Sequence, residues 1–157
     1  MSLKYVAGEA RNINLPCNSG DLSGQAIVVG TINGTLTNNA ETTSPYNAVV
    51  DTGKNSTYRH TVRNVTAYVS SEENTFAAVA LGDVIYYDAT QTIDDPDRAT
   101  KHVRLSKSPR NAANGVNKVF GKVVGGANAT TTAVTVENVE VMQDDATDAA
   151  TFANTAG

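Results

Sequence analysis

The sequence predicts an all-β domain, and three observations carry that expectation. The chain of 157 residues holds 19 Val and 20 Thr, whose branching at Cβ restricts χ1 and suits a pleated surface. It also holds 16 Asn and 12 Gly, the residues that turns needing positive φ recruit. Short apolar runs alternate with turn signals along the chain, the spacing of a β-barrel or sandwich. The length suits one domain. At that size folding buries roughly 70% of the chain's surface, enough for a core without staples.

Residues 4–7 and Ile13-Asn14-Leu15 form two short opening strands, the second closed by Pro16, which cannot donate to a ladder. Residues 18–24 read as a turn and residues 25–30 as a buried strand. Asn33-Gly34 is the strongest hairpin signal, because a type I′ turn needs positive φ at both central positions. After a polar loop at 38–45, residues 46–50 give a strand closed by Asp51-Thr52-Gly53. Residues 58–69 form the longest strand-like stretch. Their apolar side chains change face near Asn64, which predicts a bulge or bend there. Val79-Ala80-Leu81, the turn Gly82-Asp83 and the strand Val84-Ile85-Tyr86-Tyr87 form the next unit. A loop at 94–97, a short strand at 103–105, and a loop or short helical turn at 108–114 follow. Residues 118–124 and 133–141 form the closing strand pair. The expected division is one β-domain over 1–142 and a tail over 143–157, the tail either a weak helix or flexible.

Charge and cysteine count narrow the function classes. Twelve Lys and Arg against sixteen Asp and Glu leave a net charge of −4, the opposite of the basic stripe of a nucleic-acid backbone binder. The single cysteine, Cys17, excludes an intrachain disulfide and a Cys-built zinc site. No apolar run is long enough to span a membrane as a helix. The opening Met1-Ser2-Leu3-Lys4-Tyr5 lacks the apolar centre of a signal peptide, so a cytoplasmic origin is expected.

Individual motifs have both a chemical and a plain reading. Asp51-Thr52-Gly53 after Val49-Val50 is the arrangement of a dimeric aspartic protease, with Val123-Val124-Gly125 as the bracing strand. The plain reading, a strand ending in an Asp-x-Gly turn, is the stronger, and Lys54 is unlike the small residue usual there. Gly115 to Lys122 misses a phosphate loop: five residues separate the glycines, and Val123 stands where a hydroxyl belongs. His60 and His102 sit in strand-like contexts without partners at ligand spacing. Cys17, between Pro16 and Asn18, has no assignable partner. Asp94, Asp95 and Asp97 read as an acidic turn, since no dedicated calcium loop accompanies them. No catalytic residue, cofactor or metal is therefore assigned.

The order of landmarks carries a resemblance. Gly8, Ile13 and Leu15 precede Ser23-Gly24, Ile27-Val28-Val29-Gly30 and Asn33-Gly34. Ala80-Leu81-Gly82-Asp83-Val84-Ile85-Tyr86-Tyr87-Asp88 follows, then Phe120-Gly121-Lys122-Val123-Val124 and a Val-rich strand from Val134 to Val141. This pattern, over residues 5–141, resembles the small bacteriophage proteins that decorate or cement the capsid. The segment Gly82 to Asp88 is its most specific piece. Members often carry the label recombinase, an activity the broken phosphate-loop pattern argues against here. Residues 38–57 and 90–117 are longer than a minimal member needs, and the tail after Val141 is extra.

The resemblance implies a small β-barrel or β-tulip domain, often trimeric, on the outer surface of a capsid. The expected function is then that of a structural virion protein, assembled in the host cytoplasm. It would bind the major capsid protein, without nucleic acid or membrane, and hold the shell against the pressure of packaged DNA. Ser2, Leu3, Lys4, Tyr5 and Val6 are the expected contact residues, as a strand offering unpaired backbone groups to a neighbour. Pairing of residues 4–6 within their own barrel is the equal alternative. Two other functions stay open: a fibre or carbohydrate-binding module using Tyr5, Tyr46, Tyr58, Tyr68, Tyr86 and Tyr87, and the protease built on Asp51.

Overall fold

A computed structural model describes residues 5–7, 11–93, 95, 102–126 and 132–146. Among them every regular element is a strand: β1 (Tyr5–Ala7), β2 (Asn12–Pro16), β3 (Ala26–Val29), β4 (Ile32–Leu36), β5 (Asn47–Asp51), β6 (Thr57–Arg63), β7 (Val65–Val69), β8 (Glu72–Phe76), β9 (Val84–Tyr87), β10 (Leu105–Ser106), β11 (Lys118–Gly125) and β12 (Val136–Gln143).

Strands β6, β10, β9, β11 and β12 follow one another in hydrogen-bonded order, and β12 returns to β6, closing a five-stranded barrel. The closing seam is long, from Val136 opposite Arg63 to Met142 opposite Thr57. Side chains alternate across it. Glu137, Val139, Val141 and Gln143 of β12 are buried, and the residues between them are more exposed. Val62, Ile85, Tyr87, Leu105, Phe120, Val123, Val139 and Val141 fill the interior, with Ala26 and Val28 of β3 packed in from the side. Each such aliphatic or aromatic burial stabilises the fold by about 1.5–3 kcal/mol. Gly121 permits the tight closure: a Cβ there would lie 2.1 Å from the Met142 carbonyl oxygen.

The second sheet has the order β2-β5-β4-β3 and curls beside the barrel. Its two faces differ in chemistry. Ile27, Leu36, Ala48 and Val50, with Leu15, form a small apolar cluster on one face. Asn33, Thr35 and Asp51 lie on the other, and all three are buried. β1 pairs with β6 at Tyr58 and Thr57 and stands at the end of its sheet's strand order.

The expected break near Asn64 is present. β6 ends at Arg63 and β7 starts at Val65 in a separate two-stranded sheet with β8. Asn64 is fully buried, and its side chain receives the Thr135 N–H at 2.9 Å while donating to the Ala133 carbonyl at 2.8 Å.

Other expectations need correction. Asn33-Gly34 is not a turn; it lies inside β4, and the hairpin loop is Gly30-Thr31, with Gly30 at φ +62°. Gly34 is there because β5 passes so close that a Cβ would sit 2.2 Å from Val50 Cγ1. Val79-Ala80-Leu81 belongs to no strand; the Val79 N–H is taken by Glu137 Oε2 at 3.0 Å. The strand expected at 103–105 is β10, Leu105–Ser106, and β8 was not foreseen. The closing strand expected at 133–141 is β12, Val136–Gln143. Asp144 N–H then bonds the Phe120 carbonyl at 2.9 Å, and Ala146 is buried. Residues 147–157 lie outside the described residues.

The β7–β8 hairpin turns on Ser70 and Ser71 at φ 52° and 67°. Left-handed backbone costs an L-residue about 1 kcal/mol, and Asn-Gly is the pair suited to such a turn. The double variant Ser70→Asn, Ser71→Gly is expected to gain about 1 kcal/mol. It should raise the urea midpoint with an unchanged slope; an unchanged or lower midpoint contradicts this reading.

Candidate functional site

A buried polar cluster joins the curled sheet to the barrel, with Asp51 at its centre. Asp51 ends β5, and its side chain is fully removed from solvent. Oδ1 accepts the Arg11 and Gly53 N–H groups, each at 2.8 Å. Oδ2 accepts the Tyr58 hydroxyl of β6 at 2.7 Å, and Ser56 donates as well. Burial pushes the carboxyl pKa up, but the hydrogen bonds from Arg11, Tyr58, Gly53 and Ser56 outweigh it and hold it below the usual value.

A second chain of bonds runs beside it. Thr35 of β4 donates its hydroxyl to Gln143 Oε1 of β12 at 2.6 Å. Its Oγ1 lies 3.1 Å from His60 Nε2 of β6, so the imidazole donates there and carries a proton on Nε2. Gln143 Nε2 in turn donates to the Asp51 and Gly53 carbonyls at 3.2 and 3.1 Å. The His60 ring meets Phe120 edge-on, with centroids 5.4 Å apart. Further along β4, Asn33 Nδ2 reaches the Val119 and Phe120 carbonyls of β11, both at 2.9 Å, and the Asp144 carbonyl at 2.5 Å. These contacts make one buried polar seam between the sheet and the barrel.

The seam is suited to holding strands: Asp51 is out of solvent, and its acceptor sites are taken by donors from the residue before β2, from the turn after β5 and from β6. Val123-Val124-Gly125, the expected brace, lies in β11 and pairs with β12, while the loop after Asp51 is braced by Gln143. Cys17 Sγ donates to the Tyr46 carbonyl at 3.0 Å. Burial, then the carboxylates of Asp21 and Glu41, push its thiol pKa up, which disfavours the reactive thiolate. Among the described residues no three His, Cys, Asp or Glu side chains gather to hold a metal. Asp95 is buried, and Asp94 and Asp97 lie outside the described residues.

Tyrosines expected to stack on sugars have other surroundings. Tyr58, Tyr86 and Tyr87 are buried, Tyr46 and Tyr68 are half-buried, and the Tyr68 hydroxyl accepts Gln91 Nε2 at 2.8 Å. A groove of about 530 Å³ lies between Val28, Tyr87, Thr90, Val116 and Lys118. Its neighbouring amides are engaged: Asn111 Oδ1 accepts the Ala113 and Gly115 N–H groups, and Asn117 Nδ2 bonds the Ser108 carbonyl. Of the expected contact residues, Tyr5 and Val6 lie in β1 against β6, and Ser2, Leu3 and Lys4 lie outside the described residues. No helix among the described residues is long and apolar enough to cross a membrane.

Sequence reasoning missed the seam's partners. Thr35 and Gln143 lie far apart in the chain, and nothing local marks either one. The only available signal was polar residues at inward-facing positions of otherwise apolar strands, as in Tyr58-Arg59-His60-Thr61-Val62.

Replacing Asp51 by Asn puts an NH₂ where donors point, and is expected to cost about 3 kcal/mol at pH 7. Because the folded pKa lies below the unfolded value of about 3.9, the ionised form's stabilisation is full above that pH and fades below it. Urea unfolding should therefore show the gap between wild type and D51N narrowing from pH 7 to pH 3. No loss at pH 7, or a gap that stays constant, contradicts this role.

Set beside known proteins, the chain matches no family model, no curated protein and no solved structure.

Proposed function

We propose that this protein is a structural component of a phage virion, a decoration protein that binds the outer face of the major capsid shell as a homotrimer and stabilises it against internal DNA pressure. One observation carries the reading. The most specific piece of the resemblance, residues 82–88, and the landmark that follows it, residues 120–124, are hydrogen-bonded neighbours in the barrel. Val84 pairs with Lys122 and Ile85 with Gly121, and Gly82 N–H bonds the Val123 carbonyl at 2.8 Å. Gly82 at φ +84° makes the turn. Asp83 fixes it by accepting the Ala80 N–H at 2.8 Å and the Lys107 ammonium at 2.8 Å. These residue types serve the same closed frame from distant parts of the chain.

A clamp must transmit load without shearing internally, and a barrel welded to its side sheet by buried hydrogen bonds suits that task. Weak contacts by each protomer add through effective concentration when three bind together. Residues 2–6 remain the proposed contact. β1 has β6 on one edge, and its other edge carries no described strand, which leaves backbone groups for a capsid strand.

The test mixes the purified protein with expanded, undecorated shells and measures co-sedimentation. Saturable binding is expected at a fixed ratio to the capsid protein, with loss of binding by a folded variant lacking residues 1–5. A folded wild-type protein that fails to bind shells overturns the capsid reading. Full binding by the folded truncation removes the arm from the contact.

A further inference from the structure

We infer that the outer edge of β2 is a self-association surface, on which a second copy of this chain adds its own β2 antiparallel about a two-fold axis through Asn14. This goes beyond the capsid reading and does not rest on it.

β2 is the terminal strand of its sheet, with β5 on its inner edge. Bonds at both ends of the pair fix which groups face inward: Thr52 N–H donates to the Arg11 carbonyl at 2.7 Å, and Cys17 N–H to the Tyr46 carbonyl at 2.8 Å. Arg11, Ile13, Leu15 and Cys17 therefore direct their backbone groups to β5, since these groups alternate sides along a strand. Asn12 and Asn14 direct N–H and C=O outward, and Pro16 its C=O alone. No described strand pairs with that edge.

The pattern is self-complementary. With Asn14 opposite Asn14 of a second copy, the two exchange N–H···O=C bonds. Asn12 then faces Pro16, donating its N–H to the one group the proline offers. In the same register Ile13 lies opposite Leu15 of the second copy. Leu15 packs on the apolar cluster of Ile27, Leu36, Ala48 and Val50, and Ile13 beside it is 36% exposed. The pairing thus extends an existing apolar cluster across the axis and covers Ile13. A two-fold interface requires this kind of patch, one that complements itself. Shifting the two-fold axis to Ile13 instead sets Leu15 against Arg11. The contact is small, below roughly 1,200 Å², which makes it weak and concentration-dependent.

Sedimentation equilibrium from about 10 µM to about 1 mM tests it. Asn14→Pro removes an outward N–H while leaving the bonds to β5, a position an edge strand tolerates. Ile13→Lys places a charge against Leu15 and leaves the backbone intact. Val69→Lys, on an exposed position of β7, is the control. The wild type and the control are expected to approach twice the particle mass of the folded Asn14→Pro and Ile13→Lys variants, whose association is at least tenfold weaker. Equal masses for all four proteins over the whole range overturn the inference. Doubling that only Ile13→Lys abolishes also overturns it, because the contact would then not be made by the strand edge.

Discussion

A carboxylate fully removed from water must be met by donors on every side, and the placement of Asp51 makes that requirement an organising constraint. Its donors come from the residue before β2, from the turn after β5, and from β6 of the barrel. Hydrogen bonds to a charged acceptor are worth about 1.5–3 kcal/mol each, and a buried charge left without them costs more than any one contributes. The sheet therefore cannot slide on the barrel without leaving a buried ion unpaired. Thr35, His60 and Gln143 impose the same condition a few ångströms away. Together they fix the register of β4 and β5 against β6 and β12 more sharply than apolar packing does, because apolar contacts tolerate small shifts and hydrogen bonds do not.

Close backbone approach follows from that fixed register. Gly34 lets β5 lie against β4 where a side chain would strike Val50, and Gly121 lets β12 close on β11 where one would strike the Met142 carbonyl. Phe120, next to Gly121, is completely buried and touches the His60 ring edge-on. The apolar core and the polar seam thus meet at one residue. Hydrogen bonds made by Asn33, Asp51 and Gln143 therefore tie the side sheet to the barrel where the core is closed.

The sequence made the fold class legible through composition and period. The Val- and Thr-rich runs did become strands, and the change of face at Asn64 marked a true break between β6 and β7. Turn chemistry misled. Asn33-Gly34 has the best local propensity for a type I′ turn in the chain, yet tertiary demands place it inside a strand. Asn33 is needed to bond the Val119 and Phe120 carbonyls, and Gly34 to admit β5. Ser70-Ser71, with no such propensity, takes the left-handed turn because β7 and β8 pair on either side of it. Val79, apolar in sequence and wholly buried in the structure, belongs to no strand: its N–H answers to a Glu137 side chain instead of a ladder. Asp51 was visible as a motif, while its role depends on Tyr58 and Arg11, whose approach is set by the folded topology.

The claim that the seam makes sheet and barrel one unit is tested most directly by native-state hydrogen exchange under low denaturant. Amides of Thr35, Leu36 and Val50 in the curled sheet should open with the same free energy as those of Tyr58, Val139 and Val141 in the barrel, close to the global value. Sheet amides that exchange through an opening several kcal/mol below the barrel's would contradict it, showing that the two sheets part while each remains folded.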